Sequence, residues 1–451
     1  MSLFWYLLWF VIAVGLLVTV HEFGHFWVAR RLGFRVLRFS VGFGRPLLKW
    51  TARRDGTEYV IAAVPLGGYV KLLDEREGPV AAADLPHSFT HRPHWQRIAV
   101  LLAGPTCNIL FAVLVLWGMF WANGITEIRP RIGDVTPGSV AARADLRAGD
   151  DIRSLDGHAV GSRRDVVFGL LDAISGGGQV DLGVQGADGT MRTVHLAVSD
   201  ATQRRHLTEP AQLLVGLGFD FWNPPDGVLG SVSADGAAAR AGLLAGDRIL
   251  SIDGTPVKDF SDIVHQVSAR PGQRVTVVYR RDGTEHTTLL DIAGDKSSGR
   301  HAGRIGVGLF PASMMQHIDL GAGAALSSAA GEAWSMTMLQ ARMFWRMVEG
   351  RVSLKNLSGP LSIAEFAGDS AEAGVASFMS FLVLISLTLG FLNLLPIPIL
   401  DGGQILFQVV EWLKGSPLSE RAQIFGQQVG IALLIVLMGV ALYNDIARQI
   451  G

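Results

Sequence analysis

The 451-residue sequence is short of cysteine and of net charge, and each shortage excludes a class of protein. The single cysteine, Cys107, permits no intrachain disulfide, so any domain outside the cytosol must fold by core packing alone. A net charge of −1 gives no sign of the basic surface that nucleic-acid binding requires. With 49% hydrophobic and 18% charged residues, the composition indicates membrane-spanning segments combined with soluble domains.

Four long runs contain no charged residue. The first, Leu3–Val20, would form about 27 Å of helix, close to the thickness of a bilayer core. Because no Lys or Arg precedes this run and it leads straight into His21, we expect a retained span rather than a cleaved signal peptide. The sequence therefore predicts four transmembrane helices, in residues 1–30, 98–122, 375–403 and 424–443.

The distribution of basic residues predicts the orientation. Residues 30–97 hold twelve Lys and Arg but six Asp and Glu, whereas no basic residue precedes the first span. The positive-inside rule then places residues 31–97 in the cytosol, and the N-terminus and the long segment after the second span outside it. We expect an inner-membrane protein in contact with lipid.

The outer segment contains a repeat with an offset of 97 residues (238 − 141). "AARADLRAGDDIRSLDG" from Ala141 aligns with "AARAGLLAGDRILSIDG" from Ala238, and each copy combines short β runs, Asp-Gly turns and a short helix. The copies, residues 127–222 and 223–311, resemble circularly permuted bacterial PDZ domains, which implies that they bind extended peptides or C-termini. Spacers that only shape an entrance are the alternative. Asp145 stands where the second copy has Gly242, so we expect less peptide binding by the first copy.

The segment "VTVHEFGHFW" places proton-active side chains at the end of the first span. On a helix His21 and His25 share one face and can hold a zinc ion, while Glu22 can take a proton from a zinc-bound water. A pair of histidines facing lipid headgroups is the alternative. Ionisable groups at membrane depth cost ~2.5–3.5 kcal/mol and usually serve a function, which favours a metal site.

A third ligand is expected from the end of the third span. Pro396 and Pro398 break the helix there, and Asp401 follows at once. Since spans one and three run in the same direction, their cytosolic ends can bring Asp401 to the histidines and complete a tetrahedral site with water. The alternative for Asp401 is a turn residue before two glycines.

Several motifs together carry a family resemblance. They are HEFGH (His21–His25), Asn393-x-x-Pro396-x-Pro398-x-Leu400-Asp401-Gly402, GPTCN (Gly104–Asn108), NLSGP (Asn356–Pro360) and the tandem PDZ-like copies. With these motifs the chain resembles the site-2 intramembrane metalloproteases. The resemblance implies one Zn²⁺ per chain and cleavage of transmembrane segments of single-span proteins. It further implies substrates such as an anti-sigma factor already trimmed outside, and remnant signal peptides, within regulated intramembrane proteolysis that controls an envelope stress response.

One position departs from the family pattern. Gln404 stands where we expect His after Asp-Gly-Gly, so the hydrogen bonds around the ligands are in doubt.

The cytosolic loop offers a means of holding an unwound substrate. Residues 34–50 and 57–74 read as two strands joined by an Asp-Gly turn. A sheet edge there could clamp an extended substrate, helped by glycines that permit close backbone approach, namely Gly42, Gly44, Gly67 and Gly68. The resemblance, which includes a membrane-dipping β-hairpin, favours this clamp over a plain cytosolic hairpin. Asn393 could bond the substrate backbone or the developing oxyanion, or could be a polar residue that satisfies the broken helix around Pro396. Pro396 and Pro398 are the other candidate substrate-binding residues of this segment.

The expected fold is therefore a multi-span α-helical membrane protein with four transmembrane helices, a cytosolic or re-entrant β-hairpin region and two extracytoplasmic PDZ-like α+β domains. Residues 320–350 predict an amphipathic interfacial helix, or a helix packed on the PDZ pair. A second metal site at His87, His91 and His94 is disfavoured because no carboxylate or Cys completes it. A catalytically inactive zinc-binding PDZ receptor and a metal transporter are the competing functions. Glu22 argues against the first and the lack of inverted repeats against the second.

Overall fold

The computed structural model describes residues 3–53, 55–209, 211–295 and 302–450, so the first two residues of the predicted first span lie outside it. The chain forms two compact units. One comprises residues 1–124, 319–348 and 354–451, and the other comprises residues 125–318 and 349–353. The first is called the membrane unit and the second the inserted unit.

The membrane unit begins with two long helices joined by a β region. Its elements are α1 (Leu3–Arg31), β1 (Val36–Thr51), β2 (Glu58–Leu72) and α2 (His94–Asn123), with short 3-10 turns at Glu75–Glu77 and Leu85–His87. The predicted strands and the Asp-Gly hairpin turn are confirmed: the Thr57 amide donates to Asp55 Oδ1 at 3.2 Å, which closes the turn.

The β region folds back on itself. Val36–Val41 of β1 pairs with Gly68–Leu72 of β2, and Arg38–Val41 also lies opposite Glu58–Ile61. The Gly68–Leu72 segment therefore forms an edge, with a partner strand on one side only among the described residues.

The inserted unit begins with a first α+β module. Its elements are β3 (Ile125–Ile128), β4 (Ile132–Val135), α3 (Val140–Arg143), β5 (Asp151–Leu155), β6 (His158–Ala159), α4 (Arg163–Gly176), β7 (Gln179–Gln185), β8 (Met191–Ala197), α5 (Ala201–Leu207), α6 (Gln212–Leu217) and β9 (Phe219–Phe221). The main sheet has the order β6-β5-β7-β8, and β4 pairs with β9. Ile152, Leu170 and Leu182 are fully buried in its core.

A second module follows with the same succession of main elements. Its elements are β10 (Ser231–Val232), α7 (Ala237–Arg240), β11 (Arg248–Ile252), β12 (Thr255–Pro256), α8 (Phe260–Ser268), β13 (Arg274–Arg281), β14 (Thr284–Asp291), β15 (Ala293–Asp295), β16 (Ala302–Arg304), β17 (Val307–Gly308), a 3-10 turn at Ala312–Met314 and β18 (Met315–Ile318). The main sheet has the order β12-β11-β13-β14, and β18 pairs with β3 of the first module. The identity of the modules as PDZ domains stays a prediction.

The position at which the two modules differ in sequence has the same backbone conformation in both. Asp145 has φ 63° and Gly242 has φ 78°, both in the left-handed region. Arg147 donates two hydrogen bonds to the Asp145 carboxylate and holds its pKa below the ordinary value. The aspartate therefore keeps the glycine's turn geometry, with a charged pair added at the surface.

The rest of the membrane unit is helical. It contains α9 (Ala322–Val348), a 3-10 turn at Leu354–Asn356, α10 (Pro360–Ala373), α11 (Val375–Asn393), α12 (Asp401–Lys414) and α13 (Glu420–Ile450). Four helices in the described part of the chain are long and apolar enough to cross a membrane, namely α1, α2, α11 and α13, as the sequence predicts. The predicted third span is too long: α11 ends at Asn393, because prolines follow, and α12 begins a new helix at Asp401.

The helix α9 packs through one narrow face. Ala329 and Ala333 are buried against Ala112 and Leu116 of α2 and against α11, while Trp334 on another face is exposed. Small side chains let the helix axes approach closely. The predicted interfacial position of this helix stays a prediction.

Candidate metal centre

The HEFGH segment lies inside α1, which continues unbroken to Arg31. His21 and His25 are one helical turn apart, and their Nε2 atoms are separated by 3.2 Å. The imidazole rings are nearly perpendicular, so both Nε2 atoms face the same point.

Asp401 completes the cluster from another part of the chain. It is the first residue of α12, and its Oδ2 lies 3.1 Å from His21 Nε2 and 3.4 Å from His25 Nε2. The three ligand atoms all lie within 4.8 Å of one another. Within the described ranges no other group of three His, Cys, Asp or Glu side chains meets this condition.

The residues present fit a zinc ion. Two imidazoles and one carboxylate are a common ligand set of catalytic zinc sites, which keep a fourth position open. Asp401 Oδ2 is buried and has no hydrogen-bond partner of normal geometry, although both Nε2 atoms are close to it. A buried, unpartnered carboxylate oxygen is costly unless a cation satisfies it.

The other ring nitrogen of each histidine meets a group on α2. His25 Nδ1 lies 2.7 Å from the Val100 carbonyl oxygen, so Nδ1 carries the proton and Nε2 keeps a free lone pair. His21 Nδ1 lies 3.4 Å from Asn108 Nδ2, while Asn108 Oδ1 is buried without a partner. With the Asn108 amide turned so that Oδ1 faces His21, Oδ1 would accept the Nδ1 proton and leave a free lone pair on His21 Nε2.

Sequence reasoning missed both of these contacts. A backbone carbonyl such as that of Val100 leaves no mark in the sequence. Asn108 could have been found, because it is the one amide side chain in the apolar interior of the second span.

Two glycines allow α1 and α2 to cross at the centre. A Cβ on Gly24 would lie 2.8 Å from the Ala103 carbonyl carbon. A Cβ on Gly104 would lie 2.7 Å from His25 Cε1 and 2.8 Å from His21 Cε1, and closer still to His25 Nε2. Larger residues at either position would separate the helices or displace the rings.

Glu22 is half-buried on α1 beside the edge of the β region. A Cβ on Gly68 would lie 2.9 Å from Glu22 Cγ and 2.7 Å from the Ser40 carbonyl oxygen. The structure thus brings Gly68 to the candidate general base. Gly42, Gly44 and Gly67 are placed instead at bends of the hairpin, all with positive φ, and Gly67 abuts the Phe43 ring.

The segment between α11 and α12 holds the remaining candidates. Asn393 is the half-buried last residue of α11, Pro396 is exposed and Pro398 is half-buried. Gln404 Nε2 donates to the Pro398 carbonyl oxygen at 2.7 Å. The residue that departs from the family pattern therefore supports the proline-containing turn. Gly402 and Gly403 pack directly on the backbone of that turn.

The three histidines of the disfavoured second metal site each have a different partner. His87 Nδ1 lies 2.8 Å from the Gly33 carbonyl, His91 Nε2 lies 2.8 Å from Glu75, and His94 Nδ1 lies 3.3 Å from Gln408 Oε1. They do not form a cluster of metal ligands in the part of the chain that the structure describes.

Comparison with known proteins gives a match over nearly the whole chain. Residues 9–437 match the model of a family described as Peptidase family M50. The chain is 41% identical to the regulator of sigma E protease of Salmonella typhi, over 99% of this chain and 100% of that protein. It is 40% identical to a protein of Neisseria meningitidis whose name describes a zinc metalloprotease, over 99% of each chain. Among solved structures it is similar to the PDZ domain of the SdrC-like protein of Listeria monocytogenes, with 28% identity, 19% of this chain and 90% of that chain covered, and a TM-score of 0.17.

Proposed function

The chain belongs to peptidase family M50, the site-2 proteases, and on this premise we propose that the cluster formed by α1 and α12 is the reaction centre of an intramembrane zinc metalloprotease. His21, His25 and Asp401 hold one Zn²⁺ per chain. The observation that carries this assignment is the meeting of three ligand atoms, all within 4.8 Å, from helices far apart in the sequence.

A zinc ion supplies a Lewis acid that acidifies water and polarises a carbonyl group. Glu22 lies one residue from the first ligand, takes a proton from the attacking water and passes it to the leaving amide nitrogen. The Val100 carbonyl holds the His25 tautomer with a free Nε2 lone pair, and Asn108 would do the same for His21 with its amide oxygen turned toward Nδ1. A catalytically inactive zinc receptor would need no such base.

The edge of the β region is the proposed substrate clamp. A helical peptide bond is shielded by its own hydrogen bonds, so the substrate must be held as an extended strand. Among the described strands the Gly68–Leu72 segment pairs with β1 alone, and Gly68 lies against Glu22, so a substrate strand added to this segment would lie next to the base. Asn393, at the end of α11, bonds the substrate backbone or the developing oxyanion.

The Glu22→Gln variant tests these roles. The amide cannot accept the proton, so cleavage of a reconstituted single-span peptide should fall by at least about 10²-fold while zinc content stays at one ion per chain. Asp401→Ala should lose both zinc and cleavage. Native-rate cleavage by Glu22→Gln would show that the base is another group.

We also propose a class of natural substrates for this protease. The name of the Salmonella relative describes a regulator of sigma E, and we extend that role to this chain in the inner membrane. The substrate class is then a single-span anti-sigma factor trimmed outside the membrane, together with remnant signal peptides. Incubation of both kinds of peptide with wild type and Glu22→Gln tests this class.

The inserted unit is proposed to lie outside the cytosol and to select substrates by size. It is inserted between α2 and α9, and its first and last strands, β3 and β18, pair with each other. Deleting residues 131–310 therefore leaves the two chain ends next to each other. The deletion variant should cut substrates whose outer domain is still attached, whereas wild type should cut only the trimmed form.

Peptide binding by the second module is the competing role. Full-length protein should then bind a peptide with a free terminal carboxylate more tightly than its amidated counterpart. Such binding, together with no cleavage of untrimmed substrate by the deletion variant, would favour a receptor over a size filter.

A further inference from the structure

A buried polar cluster joins α2 to the far part of α12 and is not part of the ligand set. Gln408 is 4% exposed and Glu411 is 5% exposed, so both polar groups are removed from water. Burying a carboxylate or an amide without partners is costly. The hydrogen-bond partners of Gln408 and Glu411 therefore show which parts of the chain this cluster connects.

Arg97 of α2 is the hub of this cluster, with a side chain only 12% exposed. Its Nε donates to the Arg92 carbonyl at 2.7 Å, and its Nη2 donates to the Thr90 carbonyl. These two bonds fix the plane of the guanidinium. The remaining Nη1 donates to Gln408 Oε1 at 3.1 Å.

Glu411 links the same cluster to the start of α13. Its Oε1 accepts hydrogen bonds from the Leu418 amide at 3.0 Å and from Gln423 Nε2 at 3.4 Å. Its Oε2 lies 3.8 Å from Arg97 Nη1. Arg97 is in the first turn of α2, where the helix dipole disfavours a cation, and the Glu411 carboxylate offsets that cost.

Helix periodicity connects this cluster with the ligands. Asp401 and Gln408 are seven residues apart, so they lie on one face of α12 about 10.5 Å apart. Four residues of α2 either contact the two histidines or bond α12. Their spacings of three, four and four residues place them on one face of the helix: Arg97, Val100, Gly104 and Asn108. Val100 orients His25, Asn108 orients His21, and Gly104 makes room for both rings.

We infer that Arg97 and Gln408 are positioning residues for Asp401: their hydrogen bond fixes the place of α12 against the face of α2 that orients the two histidines. The inference rests on the proposed ligand set. Asp401 begins α12, and two turns of rigid helix separate it from Gln408, so a shift of α12 along α2 would move the carboxylate relative to both imidazoles. A zinc site tolerates deviations of only about 0.2 Å in its ligand distances.

Gln408→Met in the full-length, zinc-loaded protein tests this inference, because methionine keeps the volume and removes the acceptor. Gln428→Met, the same substitution at an exposed position of α13, is the matched control. Three quantities are measured: zinc release to an excess of chelator below the unfolding temperature, Tm, and kcat and KM for a reconstituted single-span peptide. Zinc release should be about tenfold faster and kcat about tenfold lower, with KM within about twofold of wild type.

Arg97→Lys is the second variant. The lysine ammonium keeps a positive charge near Glu411, but it cannot form the three hydrogen bonds that the guanidinium makes to Thr90, Arg92 and Gln408. It should share the faster zinc release. The two changes share the loss of the Arg97–Gln408 hydrogen bond, so the effect of the double variant on zinc release should be smaller than the sum of the two single effects.

Two outcomes would overturn the inference. A lower Tm for Gln408→Met, with zinc release and kcat equal to those of Gln428→Met, would mean that the cluster only supports the fold. The Asp401→Ala variant separates this failure from that of the proposed function. If Asp401→Ala releases zinc no faster than wild type, the ligand set itself is wrong; if it loses zinc and Gln408→Met does not, only the positioning role is wrong.

Discussion

Gly104 offers the sharpest test of how the metal centre is built, because a single methyl group added there meets both histidines. The Cβ of Gly104→Ala would lie 2.7 Å from His25 Cε1 and 2.8 Å from His21 Cε1, whereas an ordinary contact begins at 3.4 Å. The rings or the helices must therefore move by at least about 0.7 Å (3.4 − 2.7), because His25 Nε2 would be closer still, and a zinc site tolerates about 0.2 Å.

Gly104→Ala should make the free energy of zinc binding less favourable, although the same substitution usually stabilises a helix. Inside a helix, replacing Gly by Ala normally stabilises a protein by about 0.5–1 kcal/mol. At Gly104 the displaced imidazoles should weaken zinc binding about 10–100-fold, the range seen when groups that orient metal ligands are lost. That change corresponds to about 1.4–2.8 kcal/mol.

Gly118→Ala is the control, since it lies on the same helix and a Cβ there has no neighbour within 4 Å. Zinc content after dialysis against graded chelator, and cleavage of a reconstituted peptide, should fall for Gly104→Ala and stay at the wild-type level for Gly118→Ala. Equal zinc retention and cleavage by the two variants would refute the close crossing of α1 and α2 at the histidines.

Three further predictions address neighbouring parts of the site. Asn108→Leu should weaken zinc binding about tenfold, whereas Asn108→Asp should keep it, because only the second still accepts the His21 Nδ1 proton; chelator titration distinguishes them. Gly68→Ala should keep zinc and lose cleavage, because the methyl group would meet Glu22 Cγ, while Gly15→Ala, with open space around it, should change neither; metal analysis and peptide cleavage check both. Reporter fusions after Arg53 should be cytosolic and fusions near Gly254 extracytoplasmic, and the reverse result would contradict the proposed orientation.

Side-chain chemistry explains which parts of the site could be predicted from the sequence. His21 and His25 have a spacing that a helix turns into one face, Glu22 follows the first of them, and Asp401 follows a proline break that stands out in an apolar run. The structure brings His21, His25 and Asp401 together. The four spans and the Asp-Gly hairpin were predictable for the same reason, because each has a periodicity or a turn signal of its own.

Most features of the fold and site that the sequence did not predict depend on backbone groups or on contacts between distant parts of the chain. The Val100 carbonyl could not be predicted because every residue has one, and only the crossing of two helices selects it. The double role of β1, which pairs with two segments of β2, likewise has no local signal. The helices α10 and α12 are exceptions, since they were missed although local signals bound them: Pro360 begins α10, and Gly374 and Gly415 follow the two helices.

The distribution of polar groups on α2 has a consequence for how such a centre can be built inside an apolar environment. This helix supplies none of the proposed ligands, yet one of its faces carries a carbonyl for His25, an amide for His21 and a guanidinium bonded to the helix that begins at Asp401. A ligand set drawn from α1 and α12 alone would depend on the relative position of two helices separated by more than 350 residues of chain. A third helix that bonds both removes that dependence, because a shift of either one breaks a hydrogen bond to a side chain that is buried from water. Substitutions on this face of α2 should therefore reduce zinc affinity more than equally buried apolar substitutions elsewhere in the same helix.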